Sequence, residues 1–212
     1  MSVQLPEAQR RLFKKMVRLT VEIHNDRKGC YGAGVVISRS GLILTADHNV
    51  VGAKTLTVRR CELAGRGWKI TAKGRRIADV IFRDTKADVA VLKLRKPLKT
   101  QSVATLGDSD DLKVASPVYR VGRDDIPVAG GHVISFGKCD RIPEFGISIE
   151  GDYGGSGGPI FVFDEEIQLV GIMLRVDDDP ESPPVAYAVP INTIKSRIFR
   201  RKVVREHLDQ DD

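Results

Sequence analysis

GDYGGSGGPIF, residues 151–161, sets one serine between two glycine pairs and runs through a proline into an apolar strand. Gly154 and Gly155 open backbone dihedrals that are closed to other residues. That freedom lets the amides of Gly154 and Ser156 turn toward one point, as an oxyanion hole requires. Gly157 and Gly158 are expected to leave room for a substrate to approach Ser156 Oγ. A flexible linker would also be rich in glycine, but a linker does not sit between two apolar strands with a proline closing it. Ser156 is therefore a candidate nucleophile. Such a serine needs a base to take its proton and a third group to orient that base.

Outward from this segment, short β-rich runs separated by turn residues fill both sides. PVYRVG, GHVISFG and FGISIE precede it, and PIFVFD, IQLVGIML and VAYAVP follow. An earlier series reads LTVEI, YGAGVVIS, GLILTA, TLTVR, GWKITAKG, RIADVIF and DVAVLKL, and the Pro- and Ser-containing stretch RKPLKTQSVATL divides the two. Two sets of roughly six short strands predict an all-β fold of two small barrels side by side. Leu12, Phe13, Met16 and Val17 form an amphipathic stripe that predicts a short N-terminal helix after Pro6. The chain is expected to be one domain over residues 1–212. Its first barrel would cover about 18–100, its second about 106–190, and a closing basic helix about 191–208.

Two further segments supply the missing groups. GLILTADHNV delivers His48 at the end of a strand, where the chain leaves the sheet and a side chain can face a cleft. KADVAVLKL carries Asp88 at the head of an apolar strand. Strand alternation sets Asp88, Ala90, Leu92 and Leu94 on one face, so Asp88 is expected to point inward. A buried carboxylate needs a partner, and an imidazole is a suitable one. Alone, each would be an ordinary loop histidine or turn acid. In chain order they read His, Asp, Ser, the order of the chymotrypsin double-barrel arrangement.

The composition narrows the rest. The 212 residues are 42% hydrophobic and 29% charged, with a net charge of +6. A chain this long buries roughly 70% of its unfolded surface and needs no disulfide or metal to stand. Cys30, Cys61 and Cys139 are odd in number and lack CxxC or CxxH spacing, which argues against both a disulfide framework and a structural zinc. No metal or cofactor is expected. No stretch has the length of a membrane span. The segment MSVQLPEAQRRLFKKMV lacks a signal peptide's apolar core, so the expected location is cytoplasmic. The basic residues are spread along the chain as solvated faces, without the aromatic interleaving of single-strand binders, so nucleic acid is not an expected partner.

These segments together resemble the trypsin-like serine peptidases of the HtrA/Deg kind. GAGVVISRSGLILTADHNV is similar to that family's segment around the histidine, DVAVLKL to the one around the aspartate, and LGDSDDLKVASPVYRVG to the opening of its second barrel. GGSGGPI resembles its nucleophile motif and YAVPI its last strand. The resemblance implies a chymotrypsin-like double β-barrel and endopeptidase activity without a cofactor. It implies the catalytic triad His48, Asp88 and Ser156, an oxyanion hole at Gly154 and Ser156, and polypeptide substrates. It also implies a primary pocket walled by residues 151–154, 173–176 and 185–187, with Glu150, Asp152, Tyr153, Leu174, Val176 and Val185 as its substrate-binding residues. Val176 and Val185 stand where larger pockets carry glycine, which favours small aliphatic residues before the scissile bond. Glu150 and Asp152 could instead attract a basic residue.

Some positions depart from the family pattern. Asn49 stands where secreted trypsins have cysteine, Gly155 replaces the usual Asn or Asp before the nucleophile, and Asp47 beside His48 is unusual. If the chain near Asp47 is extended, its side chain points away from His48 and cannot replace Asp88. The family's Asn-Pro turn is replaced by RDDIPVAGG, and a PDZ segment after the last strand is not expected. These departures leave open an alternative: a catalytically idle protease-fold protein acting as a peptide-binding or chaperone-like module. Homo-oligomerisation is also left open.

Overall fold

The near-continuous apolar runs of the sequence belong to strands buried on both faces. In Leu42–Ala46 every residue is buried. Ile43 points into the interior of the first barrel, while Leu42, Leu44 and Ala46 face a second apolar cluster outside it. Val89–Leu94 divides the same way, with Ala90, Leu92 and Leu94 inside the barrel and Val89 and Val91 outside. Such strands lose the simple in–out alternation of a half-exposed sheet. The computed structural model describes residues 6–64, 69–97, 102–121, 128–149, 155–177 and 183–208.

The first barrel contains β1 (Thr20–Asn25), β2 (Cys30–Val36), β3 (Leu42–Ala46), β4 (Thr55–Ala64), β5 (Lys69–Asp84) and β6 (Val89–Leu94). They pair in the order β1-β2-β3-β6-β5-β4, and β4 closes on β1. Two expected runs, GWKITAKG from Lys69 onward and RIADVIF, are one strand, β5; Gly74 passes through it at φ 67°, and Gly67 and Trp68 lie outside the described residues. A glycine in the left-handed region reads as a turn in sequence, but here it only kinks a strand.

The second barrel follows a two-residue strand, β7 (Thr105–Leu106), that lies in the expected linker and pairs in parallel with residues Gln168 and Leu169. Its strands are β8 (Pro117–Val121), β9 (Val128–Cys139), β10 (Ile142–Ile147), β11 (Pro159–Phe163), β12 (Ile167–Asp177) and β13 (Val185–Pro190). The order β11-β8-β9-β10-β13-β12 closes through pairing of β11 with β12. The double β-barrel is thus present in full, each barrel formed from six antiparallel strands.

A shared cluster holds the barrels together. Leu44, Val89 and Val91 from the first meet Phe161, Ile172 and Leu174 from the second. The helix α1 (Glu7–Leu19) adds Phe13, Met16 and Val17, and the C-terminal segment adds Ile191, Ile194, Ile198 and Val204. That segment is broken where one helix was expected. It runs as α2 (Ile191–Ile194), a wide π turn over Lys195–Phe199, and α3 (Lys202–Leu208). Burying a large apolar side chain contributes about 1.5–3 kcal/mol, so this cluster fixes how the cleft between the barrels is shaped.

Candidate active site

Strand β3 ends at Ala46, and residues Asp47–Asn49 form one 3-10 turn at the cleft. Each of these residues is tied to a different part of the molecule. His48 is bound to Asp88, 40 positions away: its Nδ1 lies 2.7 Å from Asp88 Oδ2, and its backbone N–H donates to Asp88 Oδ1 at 2.9 Å. The backbone N–H of Asp47 donates to the carbonyl of Asp88 at 3.0 Å. One aspartate therefore orients both the imidazole and the backbone that carries it.

Asp88 reaches this position by a route the strand pattern did not give. It lies in the β5–β6 turn, just before β6, at φ 49°. Its side chain is 33% exposed, so it is half-buried and not part of an inward strand face. A non-glycine residue in the left-handed region is uncommon, and aspartate is among those that tolerate it. The imidazole of His48 is 46% exposed, and its Nδ1 is the nitrogen engaged by Asp88.

The nucleophile segment is held by the first barrel. Two donors converge on the Ser156 carbonyl: Ala33 N–H at 2.9 Å and Asn49 Nδ2 at 2.8 Å. Asn49 is buried and also donates to Thr45 Oγ1 at 3.1 Å. Its amide thus links the turn bearing His48 to the backbone of Ser156. Sequence reading noted Asn49 only as a departure from cysteine and gave it no role, because the bond spans 107 positions. Among the described residues, Ser156 Oγ makes no hydrogen bond to His48. Such contacts are commonly long in unliganded sites.

Ser156 sits in a tight turn in which Gly158 N–H donates to the Gly155 carbonyl at 2.9 Å. Gly157, third in that turn, has φ 82°, as a type II turn requires. A Cβ there would lie 2.4 Å from both the Ala33 carbonyl and Thr45 Oγ1. Gly157 does not open a space for substrate, as the sequence had suggested, because the first barrel occupies it; a Cβ on Gly158 would meet the Gly155 carbonyl at 2.8 Å. Glycine is needed here for close approach between the barrels.

Glu150, Asp152, Tyr153 and Gly154 lie outside the described residues. Of the other expected pocket residues, Leu174 is buried in the shared cluster and Val176 packs against the core of the second barrel. Val185 approaches the outer side of Gly146, where a Cβ would meet its Cγ1 at 3.2 Å. Arg175 and Tyr187 pair across β12 and β13, and the guanidinium stacks over the phenol ring at 4.3 Å. Arg175 also binds the buried Glu144 at 2.8 Å. A bulge between Met173 and Arg175 shifts this register, which a simple alternation cannot anticipate.

Asp47 is the most buried acid at the site, and Arg83 grips it from β5 with Nε on Oδ1 at 2.5 Å and Nη2 on Oδ2 at 2.8 Å. The bonds to Asp47 hold the Arg83 guanidinium further into its charged form. The expectation that Asp47 does not replace Asp88 agrees with this contact, although the chain there is a 3-10 turn and not extended.

Comparison with known proteins accounts for the arrangement. Residues 32–172 match the family described as trypsin-like peptidase domain. The chain is 32% identical over 160 residues to a probable periplasmic serine endoprotease DegP-like of Halomonas elongata, covering 72% of this chain and 31% of that protein. It is 31% identical over 169 residues to a protein of the same description from Hahella chejuensis, covering 76% of this chain and 33% of the relative. The chain therefore spans about a third of the length of these relatives. Among solved structures, the HtrA-type protease AlgW with tripeptide is similar in fold, with a TM-score of 0.72 at 19% identity, over 96% of this chain and 65% of that one.

These relatives correct one expectation. They are named periplasmic, which overturns the cytoplasmic location read from the sequence. That expectation rested on the missing apolar core in MSVQLPEAQRRLFKKMV, and the lack of such a core in these residues does not fix the compartment. No helix among the described residues is long and apolar enough to cross a membrane. The chain belongs to the trypsin-like peptidase domain family and, within it, to the HtrA/Deg-like kind.

Proposed function

We propose that this chain is a serine endopeptidase in which His48, Asp88 and Ser156 form the triad, working as one peptidase domain on polypeptide substrates. The observation that carries the reading is the two-point hold of Asp88 on His48, through Nδ1 at 2.7 Å and the backbone N–H at 2.9 Å. With Nδ1–H committed to the carboxylate, the free lone pair of the neutral ring is on Nε2, the tautomer needed to accept a hydroxyl proton. Ser156 Oγ attacks the scissile carbonyl as its proton passes to Nε2. The resulting imidazolium is stabilised by Asp88 and returns the proton to the leaving amine. The amides of Gly154 and Ser156 receive the oxyanion, and loss of one such donor costs about 3 kcal/mol of transition-state stabilisation. Water then releases the acyl group by the same path in reverse.

The pocket before the scissile bond is proposed to be shallow and to take small aliphatic residues. Val176 and Val185, which stand where larger pockets carry glycine, support this. Ser156→Ala is expected to melt like the parent protein and to cleave no unfolded protein substrate. Measurable turnover by that folded variant would remove Ser156 from its role. A peptide library is expected to be cut after alanine, valine and similar residues; cutting mainly after lysine or arginine would overturn the pocket reading and leave the triad untouched.

A further inference from the structure

Asp47 is an acid that the triad does not use, yet it adjoins His48 in the same three-residue turn. Its side chain is 6% exposed, against 46% for that of His48. A carboxylate buried this far survives as an anion only beside a cation with good geometry. Arg83 supplies that geometry by approaching both oxygens at 2.5 and 2.8 Å with two different nitrogens. A two-pronged guanidinium contact fixes orientation as well as distance. Arg83 is itself well seated. Its neighbour Asp84 receives Arg197 Nε at 2.8 Å and Arg197 Nη2 at 3.1 Å from the C-terminal segment. Asp84 Oδ1 also accepts the backbone N–H of Ala87, at 3.1 Å, in the turn that leads to Asp88.

The last two residues of β5 therefore reach both partners of the His48–Asp88 pair. Arg83 holds the turn that carries the imidazole, and Asp84 braces the turn that carries the carboxylate. A 3-10 turn of three residues has poor hydrogen-bond geometry of its own, so external ties must set its position. We propose that Asp47 and Arg83 are positioning residues for the hydrolytic reaction, their buried ion pair fixing the turn that presents His48 to Ser156. The proposal rests on the triad reading above. Asp47 is buried and the Arg83 guanidinium is turned onto it, so the role assigned to the pair is in turnover and not in substrate binding.

The test is steady-state hydrolysis of a chromogenic peptide by the full chain, its Arg83→Gln and Asp47→Ala variants, and Ser156→Ala as the blank. Arg83→Gln strands a buried carboxylate and can fail to fold. Asp47→Ala avoids that, because Arg83 is 36% exposed and its charge is left to water. In the folded variants kcat is expected to fall about 10- to 100-fold while KM stays within about threefold, as small displacements of a catalytic group produce. The low-field proton resonance of the His48–Asp88 hydrogen bond should shift or broaden alongside. A folded Asp47→Ala with kcat within about threefold of the parent, and an unmoved resonance, overturns the proposal while the triad stands. A loss that appears in KM alone overturns it equally. If the parent chain itself gives no turnover above Ser156→Ala, the triad reading has failed and the positioning role fails with it.

Discussion

Replacing Asn49 probes how the two barrels are brought into register, and its cost follows from its contacts. The side chain is 5% exposed and donates to the Ser156 carbonyl at 2.8 Å and to Thr45 Oγ1 at 3.1 Å. In Asn49→Ala neither acceptor is stranded. Ser156 keeps its bond from Ala33 N–H, and Thr45 Oγ1 still donates to the Ala33 carbonyl at 2.7 Å. The loss is then two hydrogen bonds at about 1 kcal/mol each. A void beside Gly32 adds to it, because a Cβ on Gly32 would lie 2.3 Å from the Asn49 amide nitrogen that fills this space. The sum is about 2–3 kcal/mol, or a fall in melting temperature of about 4–12 °C for a domain of this size. Asn49→Asp keeps the shape but replaces the donor with an acceptor facing a carbonyl oxygen, so it should melt lower still. Thermal unfolding is best followed in the Ser156→Ala background, where self-cleavage does not interfere. An Asn49→Asp variant that melts at or above Asn49→Ala would refute the reasoning, since it would mean that the amide donates nothing that matters.

Two other expectations follow from single residues. Gly157→Ala must adopt φ 82° and place its Cβ 2.4 Å from the Ala33 carbonyl, which cannot yield without moving β2. About 1–2 kcal/mol for the left-handed backbone and about 1–3 kcal/mol for overpacking predict a melt lowered by roughly 4–20 °C, and an unchanged calorimetric melt would contradict the close approach. Asp108 is held below its usual value of 3.8, first by the Asp110 N–H and then by the Asn192 amide at 2.6 Å. A group lowered on folding stabilises above its unfolded pKa and loses that contribution as pH falls through the folded value. The melting difference between the parent and Asp108→Asn should therefore be full at neutral pH and narrow below about pH 4. A gap that holds steady or widens in acid would show that the carboxylate is not what matters.

What could be read in advance depended on whether a signal was local. The glycine-flanked Ser156, the strand-end His48 and the six runs of the second barrel are local patterns, and each run has a strand in the structure. The pairing of His48 with Asp88 was expected from residue types, but the left-handed turn that achieves it was not, because alternation treats Asp88 as already inside a strand. β7 has two residues and therefore no periodicity to detect. The break after Phe199 has no glycine or proline to announce it; it is set where Arg201 lies over the Phe82 ring and Val204 is buried. Asn49 and Arg83 illustrate the remaining gap. Their partners are 107 and 36 positions away, and only the closed barrels bring those pairs within hydrogen-bond reach.

Whether the His48–Asp88 pair makes Ser156 nucleophilic is read by treating the folded chain with a fluorophosphonate and mapping the adduct by peptide mass. A single adduct is expected on Ser156, lost in His48→Ala and greatly slowed in Asp88→Asn while both variants keep the parent's melt. A folded parent chain that acquires no adduct, or acquires it at another residue, would remove Ser156 from the nucleophile's role.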